Sequence, residues 1–328
     1  MKLLPILICF IIATSCDGMD RSFRVTFRVV NDEGRPVVGA KVGVSWENAE
    51  ATKPSERIKT AEDITDQDGR VTLEGKTFVS GISYGANKKG HYAAWGLRYY
   101  FKDTRLLRWQ PWDPTVEVVL KRIKNPVPMY AKRVHGAVPA KDVDVGYDFA
   151  VGDWVAPYGK GKISDMIFHG EGEVKDNRNY RGKLTVVFPG QGNGLIPFEN
   201  AESNPNPLRM PYEAPSEGYE VQRIWRSIRH YNPKTMENEE YVNDSSKTQN
   251  FFIRVRSELD AEGKVVRAWY GKIHAPFEFG PSFTTGLPSI SFVFYANPDG
   301  TRNIEYDPKR NLLKSSKPHD PDYENLAP

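Results

Sequence analysis

The chain has 328 residues, 39% of them hydrophobic and 12% aromatic, which is enough for two folded domains with cores of their own. Its 45 basic and 42 acidic side chains are interspersed and leave a net charge of +3, without the clustered basic face that nucleic-acid binding requires. The only cysteines are Cys9 and Cys16, so the body of the chain has no internal disulfide, thiol nucleophile or thiolate metal site.

The first sixteen residues have the pattern of an export signal. Met1-Lys2 precedes an apolar run of about ten residues, which ends at a small-residue segment before Cys16. The run is too short for a membrane-spanning helix, which needs about 20 apolar residues. We therefore predict a signal peptide over residues 1–15 and a short tether over residues 16–22.

Cys16 resembles the lipidated cysteine of bacterial lipoproteins. Thr14 and Ser15 suit the two positions before such a cysteine, whereas Ala13 departs from the usual Leu, Val or Ile. The resemblance implies a lipid on Cys16 and attachment to the cell membrane or the outer membrane. The alternative is ordinary cleavage after Ser15, because Ala13-x-Ser15 also fits the small-x-small rule. That outcome would give a periplasmic or secreted protein.

Short segments with alternating apolar and polar residues predict an antiparallel sandwich in the first third of the chain. Residues 23–31 alternate as a half-buried strand does, and Gly and Pro in residues 32–36 predict the turn that follows. Residues 66–69 predict a second turn. Strands are predicted at residues 23–31, 40–46, 70–73, 81–86, 91–95 and 115–122.

Two stretches of this region carry a family pattern. They are Val29-x-Asn31-Asp32-x-Gly34-x-Pro36-Val37-x-Gly39-Ala40-x-Val42 and Thr65-Asp66-x-Asp68-Gly69-Arg70-Val71. Both resemble the carboxypeptidase regulatory-like domain, a transthyretin-like (prealbumin-like) β-sandwich. The resemblance covers residues 23–75 and extends to about residue 124. It implies a seven-stranded structural module at residues 23–124 and no particular activity.

A second β-rich, sandwich-like domain is predicted at residues 129–312, after the proline-bearing boundary at residues 124–128. It resembles the C-terminal halves of exported bacterial proteins with the same first module, which brings no activity. Residues 313–328 are predicted to be disordered. The predicted fold class is all-β. Strands are predicted at residues 142–147, 162–174, 182–188, 249–258, 265–275 and 289–297, and a hairpin turn at residues 260–263.

The segment Tyr219–Tyr231 has two interpretations. Its large apolar residues fall at helical spacing, at Val221, Ile224, Trp225 and Ile228. The all-β surroundings favour a strand instead. We leave both interpretations open at this stage.

No motif predicts a metal or a cofactor, because the six histidines are scattered and none begins a zinc-binding pattern. Gly81-Ile82-Ser83-Tyr84-Gly85 matches the nucleophile-elbow pattern, but a strand rather than a helix follows, which indicates a chance match. Five acids lie close in sequence in an aromatic-rich region and form a weak signal for hydrolysis. They are Asp148, Asp153, Asp165, Glu171 and Glu173.

Aromatic side chains are the remaining candidates for ligand contacts, because sugar rings stack on them. The competing interpretation is that large aromatics fill cores, although the polar loop around Trp109 and Trp112 looks less like core. We predict a non-catalytic cell-envelope binding or scaffold protein for a glycan or an envelope protein. The alternative is a polysaccharide- or peptide-acting hydrolase that uses the second domain. The predicted ligand-binding residues are Trp109, Trp112, Trp154, Trp269 and Tyr270.

Overall fold

The computed structural model describes residues 20–48, 51–199, 208, 210–324 and 326–328. Regular structure in these ranges is β-strand, apart from one short 3₁₀ turn at Pro54–Glu56. The predicted all-β fold is thus confirmed. Within the described ranges, no helix has the length and hydropathy needed to cross a membrane. The chain divides into two compact units, and the boundary between them along the sequence lies between Arg122 and Ile123.

Two sheets form the first unit. The strands are β1 (Arg21–Val30), β2 (Lys41–Glu47), β3 (Ile58–Ile64), β4 (Arg70–Thr77), β5 (Gly81–Asn87), β6 (Ala94–Tyr100), β7 (Asp103–Arg105), β8 (Arg108–Gln110) and β9 (Thr115–Val119). One sheet has the order β4-β1-β8-β7, and β9 also pairs with β1. The other has the order β3-β2-β5-β6.

The two sheets of the first unit face each other across a shared apolar core. Every second side chain of β1 is fully buried, which is the period of a strand with one face in the core. Phe23 of β1 meets Trp46 of β2 edge to face, with ring centroids 5.1 Å apart, and Phe27 lies 5.1 Å from Tyr84 of β5. The unit is therefore a β-sandwich.

The first unit has nine strands, whereas the resemblance implies seven. Two of the nine form the short β7–β8 hairpin, which lies within residues 98–114. The turn predicted at residues 66–69 is confirmed, because the Asp66 carboxylate accepts the backbone N–H groups of Asp68 and Arg70.

A second pair of sheets forms the other unit. The strands are β10 (Tyr130–Ala137), β11 (Asp144–Asp148), β12 (Asp153–Trp154), β13 (Met166–Asp176), β14 (Asn179–Val187), β15 (Gly194–Glu199), β16 (Gln222–Asn232), β17 (Glu237–Asn243), β18 (Gln249–Leu259), β19 (Val265–Pro281) and β20 (Pro288–Asn297). Their orders are β10-β20-β19-β18-β15 and β12-β11-β13-β14-β16-β17.

Aromatic side chains fill the space between these two sheets. Trp225 of β16 stacks on Phe277 of β19 with centroids 4.3 Å apart, and Phe168 of β13 stacks on Phe292 of β20 at 6.1 Å. The five-stranded sheet carries a second apolar cluster on its other face, around Tyr270, so both of its faces are covered. The hairpin turn at residues 260–263 is confirmed, since Asp260 accepts two backbone N–H groups of the turn.

The ambiguous segment is a strand. β16 pairs with β14 on one side and with β17 on the other, so its backbone groups are bonded across the sheet. Trp225 and Ile228 are buried, but Val221 and Ile224 are exposed, which the helical interpretation does not explain. Pairing on both sides therefore outweighs the helical spacing of the apolar residues.

The prediction of a disordered tail at residues 313–328 is wrong for its described part. Leu313 belongs to the inter-sheet core, and Leu326 is 4% exposed in the second apolar cluster. Arg133 of β10 donates its backbone N–H to the carbonyl oxygen of Asp322 at 2.8 Å. The polar composition of the tail predicts disorder, but burial of two leucines is enough to hold a short segment in place.

Candidate functional site

Two of the five sequence-adjacent acids meet at one arginine in the second unit. Arg256 of β18 donates from Nε to Asp165 at 2.7 Å and from Nη2 to both Asp165 and Asp148 at 2.8 Å. The acid side chains are 1% and 3% exposed, whereas that of Arg256 is 20% exposed. One guanidinium therefore bonds to two buried carboxylates.

Backbone donors complete this ionic cluster. Asp148 also accepts the N–H groups of Lys162 and Ile163 at 2.9 and 3.1 Å, and Asp165 accepts that of Phe149 at 2.8 Å. Burial raises the pKa of Asp165, whereas these backbone bonds and Arg256 outweigh burial and lower the pKa of Asp148. The hydrogen bonds of both carboxylates thus go to Arg256 and to the backbone of the segment between residues 148 and 165. Neither acid is therefore available to bind a substrate.

Of the other three acids, Asp153 of β12 lies opposite Asp148 of β11 in the sheet. Its carboxylate accepts the backbone N–H groups of Trp154 and Lys160. Glu171 lies on the outer face of the six-stranded sheet, 2.6 Å from the Lys183 ammonium, and Glu173 is exposed two residues further along. Within the described ranges, no group of three or more His, Cys, Asp or Glu side chains could hold a metal ion. Asp148, Asp153, Asp165 and Glu171 are thus each bonded to backbone N–H groups or to a cationic side chain.

Trp109 is a core residue, contrary to the expectation from its polar loop. The β7–β8 hairpin brings its ring onto Phe101, with centroids 5.8 Å apart, and leaves it 7% exposed. Its indole N–H donates to the carbonyl oxygen of Thr77 at 3.0 Å. Trp112 is 37% exposed, with the Arg108 guanidinium 4.7 Å from its ring centroid.

The three predicted aromatics of the second unit do not share a surface. Trp154 packs edge to face on the core residue Phe168 at 5.3 Å. Trp269 stacks on Tyr130 at 5.3 Å, beneath the Arg256 guanidinium. Tyr270 is buried on the opposite face of the same strand, because successive side chains of a strand point to opposite faces.

An exposed aromatic surface occurs instead on the outer face of the four-stranded sheet of the first unit. We call it the Trp95 face. Trp95 is 54% exposed and Tyr100 is 58% exposed, both on the edge strand β6. The face consists of Trp95, Arg98 and Tyr100 of β6, Gly81, Ser83 and Gly85 of β5, Gly43 and Ser45 of β2, and Thr60 and Glu62 of β3.

Each aromatic ring of the Trp95 face lies over a glycine of β5. A Cβ atom added to Gly85 would lie 2.1 Å from Cε3 of Trp95, and one added to Gly81 would lie 3.0 Å from Cε1 of Tyr100. The rings rest on bare backbone and keep their other sides toward solvent. Covering a glycine in this way also stabilises a sheet.

A β-bulge places Trp95 in this position. Trp95 and Gly96 together oppose Gly85, and the pairing of β5 with β6 shifts register there. Gly96 has φ of +76°, a backbone conformation that glycine adopts without steric cost. The extra residue re-aims the edge strand so that Trp95, Arg98 and Tyr100 share the outer face.

Two shallow depressions cover the face. One, of about 400 Å³, extends over Gly43, Gly85 and Trp95, and the other, of about 280 Å³, lies between Arg98 and Tyr100. Ser45 and Ser83 line both depressions and connect them. Hydroxyl, carboxylate and guanidinium groups thus surround two exposed rings, which is a set of groups suited to a sugar chain.

The second unit has a larger depression, of about 700 Å³, beside β14 and β16. Two of the charged side chains that line it, Arg181 and Glu240, form an ion pair at 2.7 Å. Its ring, Tyr180, packs edge to face against Phe283 at 5.6 Å. The Trp95 face differs from this depression in that both of its aromatic rings are more than half exposed.

Sequence reasoning did not select Trp95, although a signal was present. In the Gly-x-Ser-x-Gly segment, Gly81, Ser83 and Gly85 alternate and so lie on one face of a strand. The match has no elbow, since β5 continues through it. Because the small residues of this segment recur at every second position, the segment predicts a flat surface of small residues on one face of the strand. Large side chains of the next strand can then lie over that surface.

No protein-family model matches the chain, and no curated protein matches it. Among solved structures, the chlorocatechol 1,2-dioxygenase from Pseudomonas putida is 13% identical over 31% of this chain and 61% of its own, with a TM-score of 0.26. The 3-chlorocatechol 1,2-dioxygenase from Rhodococcus opacus 1CP is 13% identical over 33% and 62%, also at 0.26.

The shaft pilin SpaA from Lactobacillus rhamnosus GG is 12% identical over 53% of this chain and 90% of its own, with a TM-score of 0.20. The chain spans about three fifths of the length of the two dioxygenases. All of these TM-scores are too low to carry an argument about function.

Proposed function

We propose that the protein is an exported cell-envelope protein that binds a glycan without catalysis, through the Trp95 face. The observation that carries this proposal is the exposed Trp95 ring lying over the Gly85 backbone. A flat, solvent-facing ring offers its surface to the C–H side of a sugar ring, while neighbouring Ser45 and Ser83 hydroxyls can exchange hydrogen bonds with sugar hydroxyls.

The proposal includes the location of the protein. Residues 1–15 act as a signal peptide and Cys16 carries the lipid, so the chain is anchored in a bacterial membrane; Cys16 itself lies outside the described residues. We further propose that the first unit is a transthyretin-like, carboxypeptidase regulatory-like module. The motif stretches at residues 29–42 and 65–71 support this, together with two facing sheets that have seven strands apart from the β7–β8 hairpin.

A glycan panel tests the binding proposal. Titration calorimetry of the full chain against envelope and host polysaccharides should find a ligand, and Trp95→Ala should weaken its binding about tenfold or more, as loss of a central aromatic contact does. Trp112→Ala is the matched control, because Trp112 is exposed but lies off the face. Unchanged melting temperatures would separate lost binding from lost folding.

Two results would contradict the proposal. Either no glycan binds, or Trp95→Ala binds as tightly as the unmodified chain. Binding to an envelope protein alone, abolished by Trp95→Ala, would assign the face to a protein partner and reject the glycan. Mass spectrometry of the mature N-terminus tests the anchor, and an unmodified Cys16 would reject it.

A further inference from the structure

We propose that the glycan on the Trp95 face is acidic: an oligosaccharide that runs along β6 and places a carboxylate against Arg98. This inference rests on the proposed function and specifies its ligand class. Arg98 lies between Trp95 and Tyr100 on the same face, opposite Ser83. A sugar chain that covers both rings therefore passes directly over the guanidinium.

Arg98 is available for such a contact. Among the described residues it makes one weak hydrogen bond, from Nη1 to the Tyr100 hydroxyl at 3.4 Å, and no ion pair. The guanidinium presents several N–H donors in a planar fork that matches a carboxylate. Lys41, which lines the depression over Trp95, is already paired with Glu62 at 2.7 Å.

The spacing of the rings requires a chain rather than a single sugar. Trp95 and Tyr100 are separated by about four strand steps once the bulge residue is discounted, which is about 14 Å. One sugar ring is shorter than this distance. The two rings therefore fit the ends of a short oligosaccharide, and Arg98 fits the acid group of a sugar between them.

Glu47 sets an opposing charge at the Tyr100 end of the face. Its carboxylate lies in the depression that Arg98 and Tyr100 line, and its attraction acts on Arg98. An acidic ligand would be repelled by Glu47 while it is held by Arg98. Removing the charge of Glu47 should therefore strengthen binding, a gain that nonspecific loss of structure cannot mimic.

Matched pairs of oligosaccharides test the inference on the full chain. The probes are oligogalacturonate, alginate and hyaluronan fragments, each beside the same fragment with its carboxyl groups reduced to alcohols. At least one acidic member should bind about tenfold more tightly than its reduced form, the increment of one charge-assisted hydrogen bond. Arg98→Gln should abolish the difference, and Glu47→Gln should tighten acidic binding about threefold. Arg105→Gln, in the β7–β8 hairpin, is the matched control and should change neither.

The outcomes separate the two proposals. Equal binding of acidic and reduced forms, or an Arg98→Gln variant that keeps the preference, overturns the acidic ligand and leaves glycan binding standing. Binding confined to neutral glycans has the same meaning. Absence of binding to every acidic and neutral probe overturns both proposals.

Discussion

Replacing Arg256 by Met should destabilise the second unit strongly. The substitution removes three hydrogen bonds to two carboxylates that are 1% and 3% exposed. Asp148 keeps several backbone donors, but Asp165 keeps only the N–H of Phe149 among the bonds described. Removing one partner of a buried ion pair costs about 3–5 kcal/mol, because the charge left behind has no compensation.

A second substitution tests that explanation. Asp165→Asn removes the uncompensated charge, so the double variant with Arg256→Met should recover more than 1 kcal/mol relative to the sum of the single effects. Urea unfolding followed by tryptophan fluorescence gives the four free energies of unfolding. Loss of the guanidinium also raises the pKa of Asp165 further above its ordinary range. The destabilisation should therefore be greatest near neutral pH and shrink as acid protonates Asp165.

Two results would refute this reasoning. A cost below 1 kcal/mol for Arg256→Met would show that the cluster is not a stabilising element. Strictly additive single and double variants would show that Arg256 and Asp165 do not depend on each other. Either result would make Asp148 and Asp165 candidates for a catalytic role again.

Three further predictions concern the remaining features. Gly85→Ala should weaken glycan binding about tenfold, because its Cβ would displace the indole above it. In the control Gly43→Ala, the new Cβ meets nothing closer than 3.9 Å, so the variant should fold normally with the indole in place. A change of intrinsic fluorescence in both variants, or in neither, would contradict this prediction. Trp109→Ala should lower the free energy of unfolding by about 3–5 kcal/mol, and a loss below 1 kcal/mol in urea unfolding would reject its core position. Deleting residues 315–328 should lower the free energy of unfolding by about 2 kcal/mol, since Leu326 is buried. An unchanged melting temperature would instead support the prediction of a disordered tail.

The strands whose alternation is strong could be predicted from the sequence. The residues of β1 and β18 alternate or run apolar because one or both faces of the strand are covered, and that requirement is local. Turns were predictable for the same reason, since Asp66 bonds to backbone groups only a few residues away. The edge strand β3 was missed, because its side chains are largely exposed on both faces.

Burial that depends on distant residues could not be predicted. Trp109 is buried because a hairpin folds it against Phe101, and nothing in its own neighbourhood encodes that contact. The pairing of Asp148 and Asp165 with Arg256 joins residues about a hundred positions apart. The Trp95 face depends on the register between β5 and β6, which a single bulge determines.

The start of β1 at Arg21 would limit how far the first unit can move from the lipid that we propose on Cys16. Five residues span at most about 17 Å when fully extended, so the module would be held at the bilayer surface. Many copies would then diffuse in one plane, each with a shallow site. A long polymer touching that plane would engage several copies at once, and avidity can exceed single-site affinity by about 10²–10⁴. A weak individual contact would then suffice to retain a polysaccharide at the cell surface.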